Sequence, residues 1–451
     1  MKANSILGLN ARSQVFSYPH NTSVGKTIAN SKLKTHRALK RIGIPSPKIY
    51  YVFKKPRDIL EFDWDTLPNS FALKPSKGLG GNGIIVVKKR SKDGDGWITT
   101  QRRKLTSEDF KLHVFDILDG AYSTRNTPER ALIQEYVGRH KIFRKYAYRG
   151  TPDIRIIVFN YVPVMAMLRL PTKDSGGRAN LHQGAIGVGV DIATGITTRA
   201  IWNDEPIKFK PGTKRKLHGI KIPHWNQILE MASHCDDVPG LHYFGADIVL
   251  HPEKGPMVFE LNDQPGLSIQ LANNIGLRKR LERVEDLEVR GPEHGVRIAK
   301  ALFAARFADR VLADEGVKTI SAVQEVVIKG VKRKQRKKIL AKVDTGAWRT
   351  SVSETLAEEL GLLTPNNILW TRRVRSSLGV QERPVVSLTF WMAGRKITTP
   401  ASVAKRMALK YPVIIGRKNL QGFLIKPLIT VQKRETKVTK KSKIKVKRLH
   451  S

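Results

Sequence analysis

The spacing of apolar positions along the chain predicts strands that come in antiparallel pairs, with a few helices between them. Residues 71–75 and 84–88 are short apolar runs joined by a glycine-rich loop, and residues 152–159 and 162–169 turn through Asn160-Tyr161. Residues 246–250 and 257–261 flank a cluster of turn formers, His251-Pro252-Glu253-Lys254-Gly255-Pro256. A further apolar run, 131–137, carries one acid, Glu135. Helical spacing occurs at 32–41, with Leu33, Ala38 and Leu39 apolar, and at 105–118 behind Ser107 as cap. It recurs at 293–315, where Val296, Ala299, Leu302, Phe303 and Phe307 make one side, and this helix reads as a bridge to a second domain. Beyond it, 322–329 and 339–343 read as strands around the basic run 332–338, which is either a solvated hairpin tip or an anion-binding patch. Ser351 and Glu354 fit a capping box for a helix through Leu356, Leu360 and Leu363, and 411–417 is a strand stopped by Gly416.

The hairpin at 246–261 organises the candidate chemistry. With the turn centred between Glu253 and Lys254 and no bulge, Asp247 lies opposite Glu260, and Asn262 shares their face. Ile248, Leu250, Met257, Phe259 and Leu261 then point to the core. Facing carboxylates repel, so either each is solvated separately or a positive group sits between them. Two carboxylates and an amide form an all-oxygen set that suits Mg²⁺.

Other residues fit around that clamp. The loop Gly78 to Gly83 has Gly-x-Gly-x-x-Gly spacing, but a β-branched run follows it where a dinucleotide fingerprint requires a helix. Such a loop between antiparallel strands can fold over phosphates, with Lys74 at its entrance. Lys32 sits in the first turn of its helix, an unfavourable place for a cation unless an anion is near. The strand carrying Glu135 can pass beside an adenine or serve as plain core. Asp153 and Arg155 share a strand face and can pair with each other. The segment 177–185 packs Arg178, Asn180 and His182 between glycines, a composition suited to a phosphoryl site.

A length of 451 residues accommodates two or three domains, and 40% apolar content is enough for real cores. The formal charge of +42 implies anionic company: nucleotides, nucleic acid, acidic peptides or anionic surfaces. The single cysteine, Cys235, excludes a disulfide framework. With no stretch approaching a membrane span or a signal peptide, a soluble cytoplasmic protein is expected, without membrane insertion.

The order of these motifs from about 6 to 277 resembles the ATP-grasp superfamily, and within it the alpha-L-glutamate ligase-like proteins. The carrying residues are Lys32-Leu33-Lys34 with Gly43-Ile44-Pro45, Lys74 with Gly78 to Gly83, Ile133-Gln134-Glu135-Tyr136, Asp153-Ile154-Arg155, Arg178 to Gly184, and Asp247 with Glu260-Leu261-Asn262-Asp263-Gln264-Pro265-Gly266-Leu267. The resemblance implies ATP-dependent carboxylate–amine ligation through an acyl phosphate, with an amino acid and a carboxylate or peptide acceptor. It implies that Lys32, Lys74, Gly80 and Gly81 hold the phosphates and that Glu135, Tyr136 and Val137 form an adenosine hinge. Asp247, Glu260 and Asn262 would bind Mg²⁺, or Mn²⁺ in its place, while Arg155, Arg178 and Asn180 steady the acyl phosphate. The stretch 138–151 is basic and long for a simple connection, which departs from the family pattern.

Asp344-Thr345-Gly346, paired with the apolar strand ending at Gly416, resembles a retropepsin-type aspartic protease over about 319–428. That resemblance implies Asp344 as the acid and a homodimer to supply the second carboxylate, and it leaves cleavage and peptide binding both open. The expected whole is an α+β ATP-grasp fold (1–290), a helical linker (291–318), a small all-β retropepsin-like barrel (319–430) and a basic disordered tail (431–451). The rival expectation is a basic RNA- or ribosome-binding protein in which the ATP-grasp fold is a relic.

Overall fold

The structure is a computed structural model and describes residues 5–77, 81–123, 126–304, 318–332, 335–376, 379–405 and 410–426. Gly80, the tail from 431 and the end of the expected linker helix lie outside the described residues. The chain divides into two units: Met1–Asp314 with Thr364–Ser387, and Glu315–Leu363 with Leu388–Ser451.

The first unit holds two antiparallel sheets. One contains β1 (Ile49–Phe53), β2 (Phe71–Pro75), β3 (Ile85–Arg90), β4 (Trp97–Thr99), β5 (Lys104–Leu105) and β6 (Ala131–Glu135), in the order β1-β6-β2-β3-β4-β5. An aromatic core of Phe53, Trp64, Phe71, Trp97 and Phe110 backs it, with Phe110 supplied by the helix Ser107–Leu118. That helix is capped by Thr106, not by Ser107 as the sequence suggested, because Thr106 and Asp109 close a reciprocal capping box.

The second sheet contains β7 (Asp153–Phe159), β8 (Val162–Leu170), β9 (Ile186–Val190), β10 (Thr197–Trp202), β11 (Glu205–Ile207), β12 (Tyr243–His251) and β13 (Gly255–Asn262). Their order is β11-β10-β9-β8-β7-β12-β13. β7 and β8 meet through Asn160-Tyr161, both at positive φ, as a two-residue hairpin with right-handed twist requires. One face of this sheet is buried under the helices Trp225–His234 and Pro292–Phe303. Val296, Ile298, Ala299 and Phe303 of the second helix belong to that core, so its described part is a packed element of the first unit.

The register of β12 and β13 differs from the expectation and yet reaches the same pairing. His251 pairs with Gly255, so the loop is one residue shorter than a turn centred between Glu253 and Lys254. Between Asp247 and Ile248 the register shifts, because Phe259 is an extra, bulged residue. The bulge restores Asp247 opposite Glu260. It also reverses the faces of the residues before it. Val258, and not Met257, joins Ile248, Leu250 and Leu261 in the main core. Met257 and Phe259 form a separate apolar cluster with Val137 and Val249.

In the second unit Val323–Lys329 runs antiparallel to Arg336–Asp344, which pairs in parallel with Val413–Gly416. Ser351–Ser353 joins Val413–Gly416 to Arg395–Ala404. Residues 390–392 pair back onto Val326–Ile328, closing a small β-barrel. Ser351 lies in a strand, and the cap of the short helix Glu354–Glu359 is Ser353, two residues later than expected.

Candidate active site

A cleft of about 900 Å³ lies between the two sheets of the first unit. Ala72, Lys74, Ile85 and Val86 line it from the first sheet, and Asp153, Arg155, Arg169, Asp247, Glu260 and Asn262 line it from the second. Glu135, Tyr136 and Val137 form one end. Gly81, Arg178, Asn180 and His182 come from two loops. Twelve of the fourteen residues expected at the site are thus gathered in one place; Asp344 belongs to the other unit, and Gly80 is outside the described residues.

Lys74 is the most perturbed cation here. Its side chain is buried, with Nζ 4.6 Å from the centroid of the Phe259 ring. Burial, reinforced by nearby Lys32, brings its pKa down to about 7, and Glu260 opposes the shift. The bulge at Phe259 is what places an aromatic face under this ammonium. Lys32 approaches from the helix Lys32–Arg41, whose first turn is tied to the end of β2 by Lys32 N–H donating to the Ser76 carbonyl at 2.9 Å. Its Nζ lies 3.9 Å from Glu260 Oε1.

The glycine loop between β2 and β3 returns through Gly83, at φ +70°, where a Cβ would lie 2.6 Å from Cγ of Tyr122. Gly83→Ala is therefore expected to destabilise the first unit by about 1–3 kcal/mol, read as a lowered urea midpoint, since the ring opposite has no flexible end to yield. Gly81, at φ +82°, lies against the Arg178 side chain, which brings that guanidinium to the loop from across the cleft. Asn180 Oδ1 accepts the His182 N–H at 3.1 Å and shapes the turn Leu181–Gln183.

The charge on Asp247 is met differently from the expectation. Arg155, directly opposite on β7, donates Nε and Nη2 to its two oxygens at 2.7 Å each. Arg169 on β8 adds a third bond at 2.7 Å and also holds Asp153, its own opposite neighbour, at 2.5 and 2.8 Å. Asp153 therefore pairs across the sheet with Arg169 and not along its strand with Arg155. Burial works to raise the Asp247 pKa, but the two guanidiniums outweigh it and hold it below the usual carboxylate range. Burial pushes Asp153 up to about 6, with the charge of Asp247 adding to the shift and Arg169 opposing it. The positive group beside the facing carboxylates is thus arginine at Asp247 and lysine at Glu260, so their repulsion does not by itself call for a metal.

Sequence reasoning missed Arg169. Its signal was a charge near the end of a strand whose every residue is buried.

Among the described residues no group of three or more His, Cys, Asp or Glu side chains is arranged to hold a metal. The donors that remain fit Mg²⁺ in its usual manner, with one or two protein oxygens and the rest from phosphates and water. Glu260 and Asn262 offer oxygens from one face of β13, and Nδ2 of Asn262 is buried without a hydrogen-bond partner. At the end of β6, Glu135 accepts from Lys48 N–H at 3.0 Å and is ion-paired with Lys254. Burial acts upward on its pKa, and these two donors bring it below the usual value. The Val137 carbonyl accepts from Thr151 Oγ1 at 2.6 Å. The apolar cluster of Val137, Val249, Met257 and Phe259 was not foreseen, because only the bulge turns Met257 and Phe259 towards Val137.

Two antiparallel sheets closing on a cleft, with the buried Lys74 and the half-buried Lys32 on one side and oxygen donors on the other, define an ATP-grasp domain. The chain belongs to the sugar-transfer associated ATP-grasp family, which it matches over residues 11–286. ATP-grasp proteins are ATP-dependent ligases that generally use Mg²⁺. No curated protein matches the chain. Among solved structures it is similar to a RimK-domain ATP-grasp protein of Sphaerobacter thermophilus, at 10% identity over 57% of this chain and 67% of that one, TM-score 0.32. It is similar to the ATP-grasp ligase PsnB complexed with minimal precursor, at 15% identity over 59% and 63%, TM-score 0.30. It is also similar to the simian foamy virus protease, at 23% identity over 22% and 90%, TM-score 0.17. Among the described residues no helix is long and apolar enough to cross a membrane.

Proposed function

We propose that the chain is an ATP- and Mg²⁺-dependent carboxylate–amine ligase that works in the manner of the glutamate ligase-like proteins, with an amino acid as one reactant. A carboxylate oxygen attacks the γ-phosphorus of ATP, the bond to the β,γ-bridging oxygen breaks, and ADP leaves an acyl phosphate behind. An amine then attacks the acyl carbon, phosphate departs with the acyl oxygen, and the amine gives up a proton. Such transfers depend mainly on positioning and on positive charge around the phosphoryl oxygens.

The observation that carries the reading is the convergence of Lys32, Lys74, Arg155 and Arg178 with Glu260 and Asn262 in one cleft. Lys32 and Lys74 would hold the phosphates, with Gly81 allowing the loop to approach them. Tyr136 and Val137, beside the apolar cluster, would receive the adenine. Arg178, with Asn180 shaping its loop, would face the transferred group. Arg155 has an alternative partner in the phosphoryl oxygens, and its departure from Asp247 would free that carboxylate. Glu260 and Asn262 would hold Mg²⁺, which when bound neutralises phosphate charge and polarises the phosphorus.

The test is ADP release from Mg²⁺-ATP with a panel of amino acids, peptides and amino sugars. Turnover is expected only when an acceptor is present, and Glu260→Gln is expected to lower it by roughly 100-fold or more at an unchanged melting temperature. Undiminished turnover in Glu260→Gln, or none with any acceptor, refutes the reading.

A second reading concerns the barrel. Asp344 stands at the end of its strand in register with Gly416, and its Oδ1 accepts N–H bonds from Gly346 at 2.9 Å and Ala347 at 3.1 Å. Burial acts to raise its pKa, and those two N–H groups with Lys342 bring it down. This supports a retropepsin-type site with one carboxylate per chain, which needs a second copy to share a proton between two acids. Peptide cleavage is then expected to rise with the square of protein concentration at high dilution and to vanish in Asp344→Asn, with ADP release unchanged. A peptide library left intact at any concentration rejects it.

A further inference from the structure

The basic segment 138–151 packs against a second basic segment. Residues 208–217 form a small hairpin closed by the Phe209–Lys216 bridge and by Leu217 N–H donating to the Lys208 carbonyl at 3.1 Å. Lys210 Nζ donates to the Lys145 carbonyl at 3.2 Å, and the Arg215 guanidinium lies over the Tyr146 ring at 5.7 Å. The two segments thus make one face. Neither 138–151 nor 206–221 contains an acidic residue. Lys141, Arg144, Lys145, Lys208, Lys214 and Lys216 are exposed, and none makes an ion pair with an acid among the described residues.

Holding so many like charges together opposes folding, and the fold offsets it with apolar anchors. Phe143, Ala147 and Leu217 are buried under the face, and Arg139 Nη1 donates to the Ala147 carbonyl at 2.6 Å. The face is therefore held in shape while its charges remain uncompensated from within. Burial and the neighbouring Arg215 and Arg139 depress the Lys210 pKa, as expected where cations crowd. Aromatic rings are interleaved with the charges: Phe209 is 45% exposed, and Tyr146 and Tyr148 are half-buried with arginines over their faces. At one side the segment runs through Arg149 and Gly150 into the lining of the cleft.

We infer that this face is a docking surface for single-stranded nucleic acid. Exposed cations answer the phosphodiester charges, and the exposed Phe209 ring among them offers stacking to a base, a contact that the carboxylates of an acidic peptide do not make. The inference does not depend on which acceptor the cleft ligates.

The probe is a fluorescein-labelled oligouridylate of ~15 nucleotides, followed by anisotropy across a range of KCl concentrations with the full chain. Lys141→Glu/Lys145→Glu/Lys214→Glu is expected to weaken binding by about 10-fold or more and to reduce the slope of log K against log salt by about 2, near 0.7 for each lost phosphate contact. Phe209→Ala is expected to weaken binding by about 5-fold or more with the slope unchanged, because stacking is not screened by salt. The control Lys440→Glu/Lys441→Glu/Lys443→Glu is expected to lose less than the face variant. Wild-type binding by the face variant overturns the inference, as does an equal loss in the control. Competition by polyglutamate as effective as that by unlabelled oligouridylate overturns it too, and reassigns the face to acidic peptides.

Discussion

Arg169→Met is expected to cost the first unit roughly 3–5 kcal/mol of stability, the largest effect of any single change in the cleft. Arg169 is buried on a strand whose other residues are also buried, and its guanidinium holds Asp153 and Asp247 together. Its removal leaves Asp153 without a hydrogen-bond donor among the described residues and Asp247 with Arg155 alone. A stranded buried carboxylate cannot recover its hydration, so the cost exceeds that of a missing hydrogen bond. A urea titration measures it. Adding Asp153→Asn in the same chain is expected to return a good part of the loss, because the carboxylate that Arg169 served is then gone. A urea midpoint unchanged in Arg169→Met would mean that the network carries no stability. A double variant no better than the single one would place the cost elsewhere.

The second large effect has opposite signs on stability and on binding. Lys74→Met is expected to make the nucleotide-free protein more stable and to weaken ATP binding by about 100-fold, the scale of a buried charge-assisted contact to phosphate. Lys74 is 4% exposed, and its ammonium sits over an aromatic ring beside another lysine, so without a nucleotide it is a cost to the fold. A triphosphate turns that cost into attraction. The same reasoning sets a pH dependence. With a pKa of about 7 in the free protein, Lys74 is largely neutral above pH 7, and a neighbouring phosphate raises its pKa. Binding therefore takes up a proton above pH 7, and affinity falls as pH rises. Below pH 7 the lysine is already charged and contributes no uptake. Calorimetry in two buffers of different ionisation enthalpy, between about pH 7.5 and 9, reads the uptake directly. Uptake that persists in Lys74→Met would assign it to another group.

The legible part of the site was the part written in local pattern. The helix at 32–41, the hairpins read at 152–169 and 246–261, and the glycine loop between antiparallel strands all follow from periodicity and turn chemistry. The gathering of Lys32, Lys74, Glu135, Arg178, Glu260 and Asn262 was instead what the ATP-grasp resemblance implied, and one cleft holds them all. The matched family is the sugar-transfer associated branch of ATP-grasp, so the ATP-grasp expectation holds while the glutamate ligase likeness stays a proposal.

By itself the sequence determined which neighbouring strands turn back on one another as hairpins, which side chains carry charge, and that the stretch 138–151 is basic and free of acids. Only the tertiary structure decided which charge answers which. Arg155 and Arg169 reach Asp247 from strands far away in the chain, a relation that no spacing along it encodes. The bulge at Phe259 is the same kind of fact. An extra residue is tolerated because it restores the Asp247–Glu260 pairing and turns Phe259 towards Lys74, and both gains depend on neighbours that the hairpin's own sequence does not contain.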